Sequence, residues 1–185
     1  MKAKTVSKGS LLIAEPFNPD PYLKRSVVLI SQQDKNGSVG FVINKPTSLM
    51  IHEALEDFPK FEAMVYWGGN QNLETVYYIH TLGKKLEGSV EIGDGIWWGG
   101  KYGILKMIVE AGEVKPEEIR FFAGYFSWSP KKLASDIKNN SWWVGKANVE
   151  TAFYEDPDKL WGNVLTRMGH VYGVMNDFPE DPSFN

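Results

Sequence analysis

A chain of 185 residues, 43% hydrophobic and 14% aromatic, buries enough apolar surface for one core without staples, with room for an appendage beside a single domain. The absence of cysteine excludes disulfides, thiolate metal sites and a cysteine nucleophile, and fits a reducing compartment. A formal net charge of −3 excludes attraction of the whole surface to nucleic acid or anionic lipid and leaves only local patches for such partners.

Lys2, Lys4 and Lys8 precede the apolar run Leu11-Leu12-Ile13-Ala14. That run is too short for a signal-peptide core or a membrane span, so the chain reads as cytoplasmic with no membrane partner. The same run reads as a buried strand, followed by a rigid loop holding Pro16, Asn18, Pro19 and Pro21. Residues 26–31 and 38–43 read as two strands joined through Asp34-Lys35-Asn36-Gly37, because Asn-Gly is the strongest short hairpin signal. Both are apolar throughout, which predicts cover on both faces. Gly37 and Gly40 mark places where the chain passes close to another backbone. Asn44 and Lys45 then emerge at the strand's end, and Pro46 stops the pairing.

Ile51, Ala54, Leu55 and Phe58 follow the i, i+3, i+4, i+7 spacing, which predicts a helix over 48–58, capped by Ser48 and stopped by Pro59. Residues 63–67 form a strand ending at Gly68-Gly69, and 75–80 another. Residues 83–100 are glycine-rich and predict short strands and turns; 102–111 reads as a helix with Gly112 beyond it. Residues 119–123 form a strand running into Gly124-Tyr125-Phe126-Ser127-Trp128. Ser129-Pro130 starts a helix with the apolar stripe Leu133, Ala134 and Ile137, and 142–144 is a short strand. The last helix is bounded by Asp156 as cap, Pro157 at its first turn and Gly169 at its close. Leu160, Trp161, Val164, Leu165 and Met168 face the core. Beyond it, 176–185 is polar and broken by Pro179 and Pro182. Phe178 and Phe184 are apolar anchors there, which predicts docking on the body, with Asp177, Glu180 and Asp181 facing water or the lysines of 131–146.

Chemistry is sparse. His52, His80 and His170 show no metal-ligand spacing and read as structural or solvated, with His80, at a strand end, the best base among them. Ser127 lies between strand and helix, but the second glycine of a nucleophile elbow is replaced by Trp128, so packing is its reading. Gly93-Asp94-Gly95 and Gly99-Gly100 lack Walker spacing, and no cofactor is implied. Residues 128–146 mix Lys131, Lys132, Lys138 and Lys146 with Trp128, Trp142 and Trp143, opposed only by Asp136. A solvated helix face over buried tryptophans explains this better than direct nucleic-acid binding. Asn44 either holds a ligand or ties down the loop before Pro46, while Arg25 and Lys45 are the basic groups placed to receive an anion. The binding candidates are therefore Arg25, Asn44, Lys45 and His80.

Several of these segments resemble the AlgH/YqgE-type family of bacterial proteins without assigned biochemistry. Gly9-Ser10-Leu11-Leu12-Ile13-Ala14-Glu15-Pro16 resembles its first strand and Arg25-Ser26-Val27-Val28-Leu29 its second. The stretch from Gly37 to Pro46 resembles its G-x-x-G-x-x-x-N-[RK]-P signature, Gly68-Gly69 its double glycine, and Gly124-Tyr125-Phe126-Ser127-Trp128 its G-Y-x-x-W segment. Trp142, Phe153, Trp161 and Asp181-Pro182-Ser183-Phe184-Asn185 also fit. The chain departs at Asn70-Gln71, where the family usually has Pro-Val. It departs again at Lys131-Lys132-Leu133-Ala134, where the family usually has Gly-Gln-Leu-Glu. The resemblance implies a single α+β domain over 1–185, a bulged, partly barrel-like mixed sheet flanked by helices, and a suggested role in regulating transcription. Together these give a non-catalytic binding or regulatory protein, acting indirectly on transcription through an unidentified small molecule or protein. The alternative is a small-molecule enzyme with a site near the end of the strand 38–43, where carboxylates, Asn44, Lys45 and His80 would converge.

Overall fold

The apolar runs form strands β1 (Ser10–Ala14), β2 (Val27–Asp34), β3 (Gly37–Val42), β4 (Pro46–Met50), β5 (Met64–Trp67), β6 (Gln71–His80), β7 (Ser89–Gly93), β8 (Ile96–Gly99), β9 (Ile119–Trp128) and β10 (Trp142–Lys146). The helices are α1 (Ile51–Ala54), α2 (Tyr102–Glu110), α3 (Pro130–Lys138), α4 (Val149–Ala152), α5 (Pro157–Met168) and α6 (His170–Gly173). The structure is a computed structural model describing residues 5–18 and 20–177. The segment 178–185, with its expected docking, lies outside the described residues.

A ten-stranded sheet runs β10-β1-β2-β3-β9-β6-β8-β7, and β5 joins β9 in parallel while pairing antiparallel with β4. Strand β9 is the hub. Its last residues pair with β3, and its first half lies between β5 and β6. The sheet curls until its two ends approach each other. Lys8, beside β1, donates from Nζ to the Glu91 carbonyl in β7 at 3.2 Å, and Lys146 in β10 meets Asp94 beyond β7 at 2.8 Å. The result is a single-domain α+β half-barrel with helices on both faces.

Both faces are dry, as the unbroken apolar runs require. Leu11, Ile13, Val27, Leu29, Phe41 and Ile43 point into a cluster closed by Leu160, Trp161, Val164 and Leu165 of α5. Leu12, Ala14, Val28, Ile30 and Val42 point the other way, to Leu133 of α3 and to Trp128 and Trp142. A third cluster packs Leu105 and Val109 of α2 against Phe121 and Ile119 of β9.

Four expectations are corrected. The helix over 48–58 shrinks to α1, because 46–50 pair with β5 instead. Pro46 starts that strand, where its missing N–H costs nothing, and Thr47 Oγ1 donates to the Val65 carbonyl at 2.7 Å. Pro46 therefore opens a pairing instead of stopping one. Glu53, not Ser48, satisfies an N–H at the helix start, accepting from Met50 N at 2.8 Å. Asp156 precedes α5 without a capping bond, because its carboxylate pairs with Lys159 at 2.6 Å.

The motif glycines find a packing explanation. Strand β6 loops out Asn72–Thr75 opposite Gly124, whose φ is +71°. Gly68 and Gly69 are pressed against that corner. A Cβ on Gly69 would stand 2.0 Å from the Tyr125 carbonyl carbon, and one on Gly68 2.3 Å from the Gly124 oxygen. No side chain fits there without moving backbone. Gly69→Ala should therefore cost more than about 3 kcal/mol. Gly103, in α2 with open space around it, should behave oppositely, and Gly103→Ala should gain about 0.5–1 kcal/mol. Thermal denaturation of both variants checks the pair.

Candidate functional site

The end of β3 is held by side chains bonded to backbone. Asn44, buried after the strand, accepts at Oδ1 from Val27 N (2.8 Å) and donates from Nδ2 to the Arg25 carbonyl (2.9 Å). Both ends of the carboxamide thus tie the turn before β2 to the turn after β3. Arg25 sits in the left-handed region at φ +52°, with its guanidinium 5.0 Å from the centre of the Trp161 ring. Lys45 is half-buried, and its carbonyl accepts from Trp67 N at 2.8 Å.

Asn44 thus bonds Arg25 and stands next to Lys45 in the chain, while His80 has partners of its own. His80, fully buried at the end of β6, accepts at Nδ1 from Leu82 N (3.2 Å). Its Nε2 faces the Gly99 carbonyl at 3.0 Å and the Ser89 hydroxyl at 3.0 Å. This pattern places the proton on Nε2 and makes the ring a neutral clamp between β6, β7 and β8. Burial pulls its pKa below the ordinary 6.5, opposed by the bond to Gly99. None of its hydrogen-bond partners is shared with Asn44.

Arg120 is the functional-looking residue that motif reading missed. Its guanidinium is buried, donating from Nη1 to the Ile43 carbonyl and from Nη2 to the Tyr154 carbonyl, each at 2.9 Å. The Tyr66 ring lies beneath it at 4.5 Å. Burial pulls its pKa below the ordinary guanidinium value, and Tyr66 counters this. One charge inside Ile119-Arg120-Phe121-Phe122-Ala123 was the available signal, since buried charges need dedicated partners. Ser127 exchanges hydrogen bonds with Gln71 at 2.9 and 3.0 Å, and that pairing gives it no base. Among the described residues no group of three or more His, Asp or Glu is arranged to hold a metal ion. No described helix is long and apolar enough to cross a membrane.

An opening lies at the β10 edge of the sheet. A groove of about 900 Å³ is lined by Leu133, Ala134 and Ile137 of α3, Trp142, Trp143 and Val144 of β10, Val6, and Met168 and Tyr172 of α5 and α6. Consecutive strand residues point to opposite faces. Lining by 142, 143 and 144 together therefore means that the groove wraps round the outer edge of β10, the last strand of the sheet. Trp128 and Trp142 are buried edge to face, with ring centres 6.0 Å apart. Lys138 lies on the groove's rim, Lys131 is exposed nearby on α3, and Lys132 is paired with Asp136 at 2.5 Å.

The curled mixed sheet defines a class of α+β fold that solved structures share. Protein DIP2367 of Corynebacterium diphtheriae superposes with a TM-score of 0.80 at 20% identity, covering 96% of this chain and 95% of its own. The AlgH protein of Pseudomonas aeruginosa, a UPF0301 protein, superposes with a TM-score of 0.75 at 24% identity, covering 97% of this chain and 98% of its own. The AlgH-like family model matches residues 11–173. A UPF0301 protein of Cytophaga hutchinsonii is 34% identical across 97% of this chain and 100% of its own length. One of Chlorobaculum tepidum is 33% identical across 96% and 95%. The chain belongs to the AlgH-like family.

Asn44→Ala removes the partners of two backbone groups and should cost about 1–3 kcal/mol, visible as a lower melting temperature. His80 gives a pH signature. Its folded pKa lies below 6.5, so its contribution is intact above the unfolded value. Stability falls as the pH drops below that, because the unfolded chain takes up the proton first. Melting curves from about pH 7.5 to 5 should slope downward towards acid, and His80→Gln should flatten that slope.

Proposed function

We propose that the protein works by binding and not by catalysis, and that the groove around β10 is its binding surface. One observation carries this reading: the groove is largely apolar with Lys138 on its rim, while Asn44 and His80 hold backbone groups. Ligand sites are commonly concave and largely apolar with few polar groups, and this groove has that character. Its size suits a short peptide segment or a small amphipathic molecule with an acidic group. A regulatory role, including indirect control of transcription through a bound partner, follows naturally from such a surface. Direct recognition of nucleic acid does not, with Trp128 and Trp142 buried.

Native mass spectrometry of the purified chain in a metabolite and peptide extract tests this. Ala134 is exposed on the groove wall, so Ala134→Trp fills the groove without disturbing the core. Adducts on the wild type that disappear in Ala134→Trp are expected. Equal adducts on both, or conversion of a bound species to product, would overturn the reading.

A further inference from the structure

We propose that β10 takes an extended segment of another protein as a further strand of the sheet, with the groove receiving that segment's side chains. This deepens the binding reading and rests on the same groove. The observation that carries it is the direction in which the β10 backbone groups point.

Hydrogen bonds at the two ends of the β1–β10 ladder fix that direction. Ala147 N donates to the Gly9 carbonyl at 2.9 Å, and Glu15 N donates to the Ser141 carbonyl at 3.3 Å. The register pairs Leu11 with Gly145 and Ile13 with Trp143, so the odd-numbered residues of β10 face β1. The other side of β1 agrees. Ala14 N donates to the Ser26 carbonyl, just before β2, at 2.9 Å, so the even-numbered residues of β1 face β2 and the odd-numbered ones face β10. The N–H and C=O groups of Trp142, Val144 and Lys146 therefore point away from the sheet. Strand β10 ends the sheet, and among the described residues none of these backbone groups has a hydrogen-bond partner. Val6, which packs on the same apolar cluster as Val144, bonds none of them.

Such an edge is a template for one more strand. Its register with β1 is unbroken by a bulge, it holds no proline, and its one charge is Lys146 at the far end. The usual protections of an exposed edge are missing over 142–145. The groove walls also fit what a strand brings. In an antiparallel addition, residues bonded to Trp142 and Val144 carry their side chains on the same face as those two, towards Leu133 and Ile137 of α3. The alternate residues carry theirs to the other face, where Trp143 meets Tyr172 with ring centres 5.2 Å apart. Lys138 on the rim and Lys131 exposed nearby favour an acidic residue on the α3 side. The occupant is thus an extended segment with apolar residues on both faces and a carboxylate among the residues that pair with β10.

The probe is the fluorescently labelled peptide Thr-Leu-Val-Leu-Val-Glu-Thr, blocked at both ends and titrated with the full chain by anisotropy. Two versions carry N-methyl groups, one on the Leu, Leu and Glu amides and one on the Val amides. N-methylation removes a backbone donor and leaves the side chains in place. Methylating the Leu, Leu and Glu set should weaken binding at least about tenfold, and methylating the Val set should change it less than about threefold. Absence of binding, or equal effects of the two methylations, overturns the proposal. Sedimentation of the protein alone should show one species at two concentrations about a hundredfold apart. A concentration-dependent dimer that the peptide dissociates assigns the edge to a second copy and also overturns it. Ala134→Trp separates this proposal from the binding reading. A peptide that fails to bind, with the adducts abolished by Ala134→Trp still present on the wild type, refutes the added strand and leaves the groove its function. A one-sided methylation effect that persists undiminished in Ala134→Trp leaves the added strand and refutes the groove as the binding surface.

Discussion

Arg120 is the interaction on which the rest of the molecule turns. A guanidinium taken out of water is costly unless its donors are met, and here two carbonyls from distant segments and the Tyr66 ring meet it. Ile43 follows β3 and Tyr154 precedes α5, so one side chain in β9 joins the hub strand, the hairpin and the helix approach. Asn44, the next residue after Ile43, binds back to Val27 and Arg25. The Trp161 indole donates to the Ala14 carbonyl at 2.8 Å and lies under Arg25. These bonds form a scaffold of side chain to backbone at this end of the sheet.

That scaffold shows what the polar residue that looks most available in sequence is bonded to: Asn44 holds backbone. A strand end with Asn, Lys and Arg nearby can be a site, but it can equally be a junction whose open carbonyls and amides need partners. The glycines belong to the same economy of space. At Gly68 and Gly69 the chain lies against Gly124 and Tyr125 closely enough to exclude a Cβ, so the motif encodes a backbone crossing and not a phosphate cradle.

The groove arises differently. Its walls come from residues 5–6, the end of the β2–β3 hairpin, α3, β10, α5 and α6, and nothing in any one segment announces it. Leu133 and Ile137 read correctly as an apolar stripe, but a stripe does not say whether a neighbour covers it. The edge position of β10, together with the side on which α5 ends, leaves it part-covered.

Local pattern alone determined a good deal of this protein. The β2–β3 hairpin, the starts of α3 and α5, the helix at 102–110 and the short strands of 89–99 were all legible, because turn chemistry and apolar periodicity are properties of neighbouring residues. The motifs from Gly37 to Pro46 and from Gly124 to Trp128 were enough to point to the family. Tertiary structure decided the rest. The stretch 46–50 carries the start of a helical pattern yet becomes a strand, because β5 offers it a partner. His80 becomes a clamp between strands, because β7 and β8 fold over it. Arg120 acquires its role only when residues 77 and 34 positions away supply their carbonyls. In each case the deciding partner is distant in the chain, and side-chain chemistry by itself does not say which distant group will arrive.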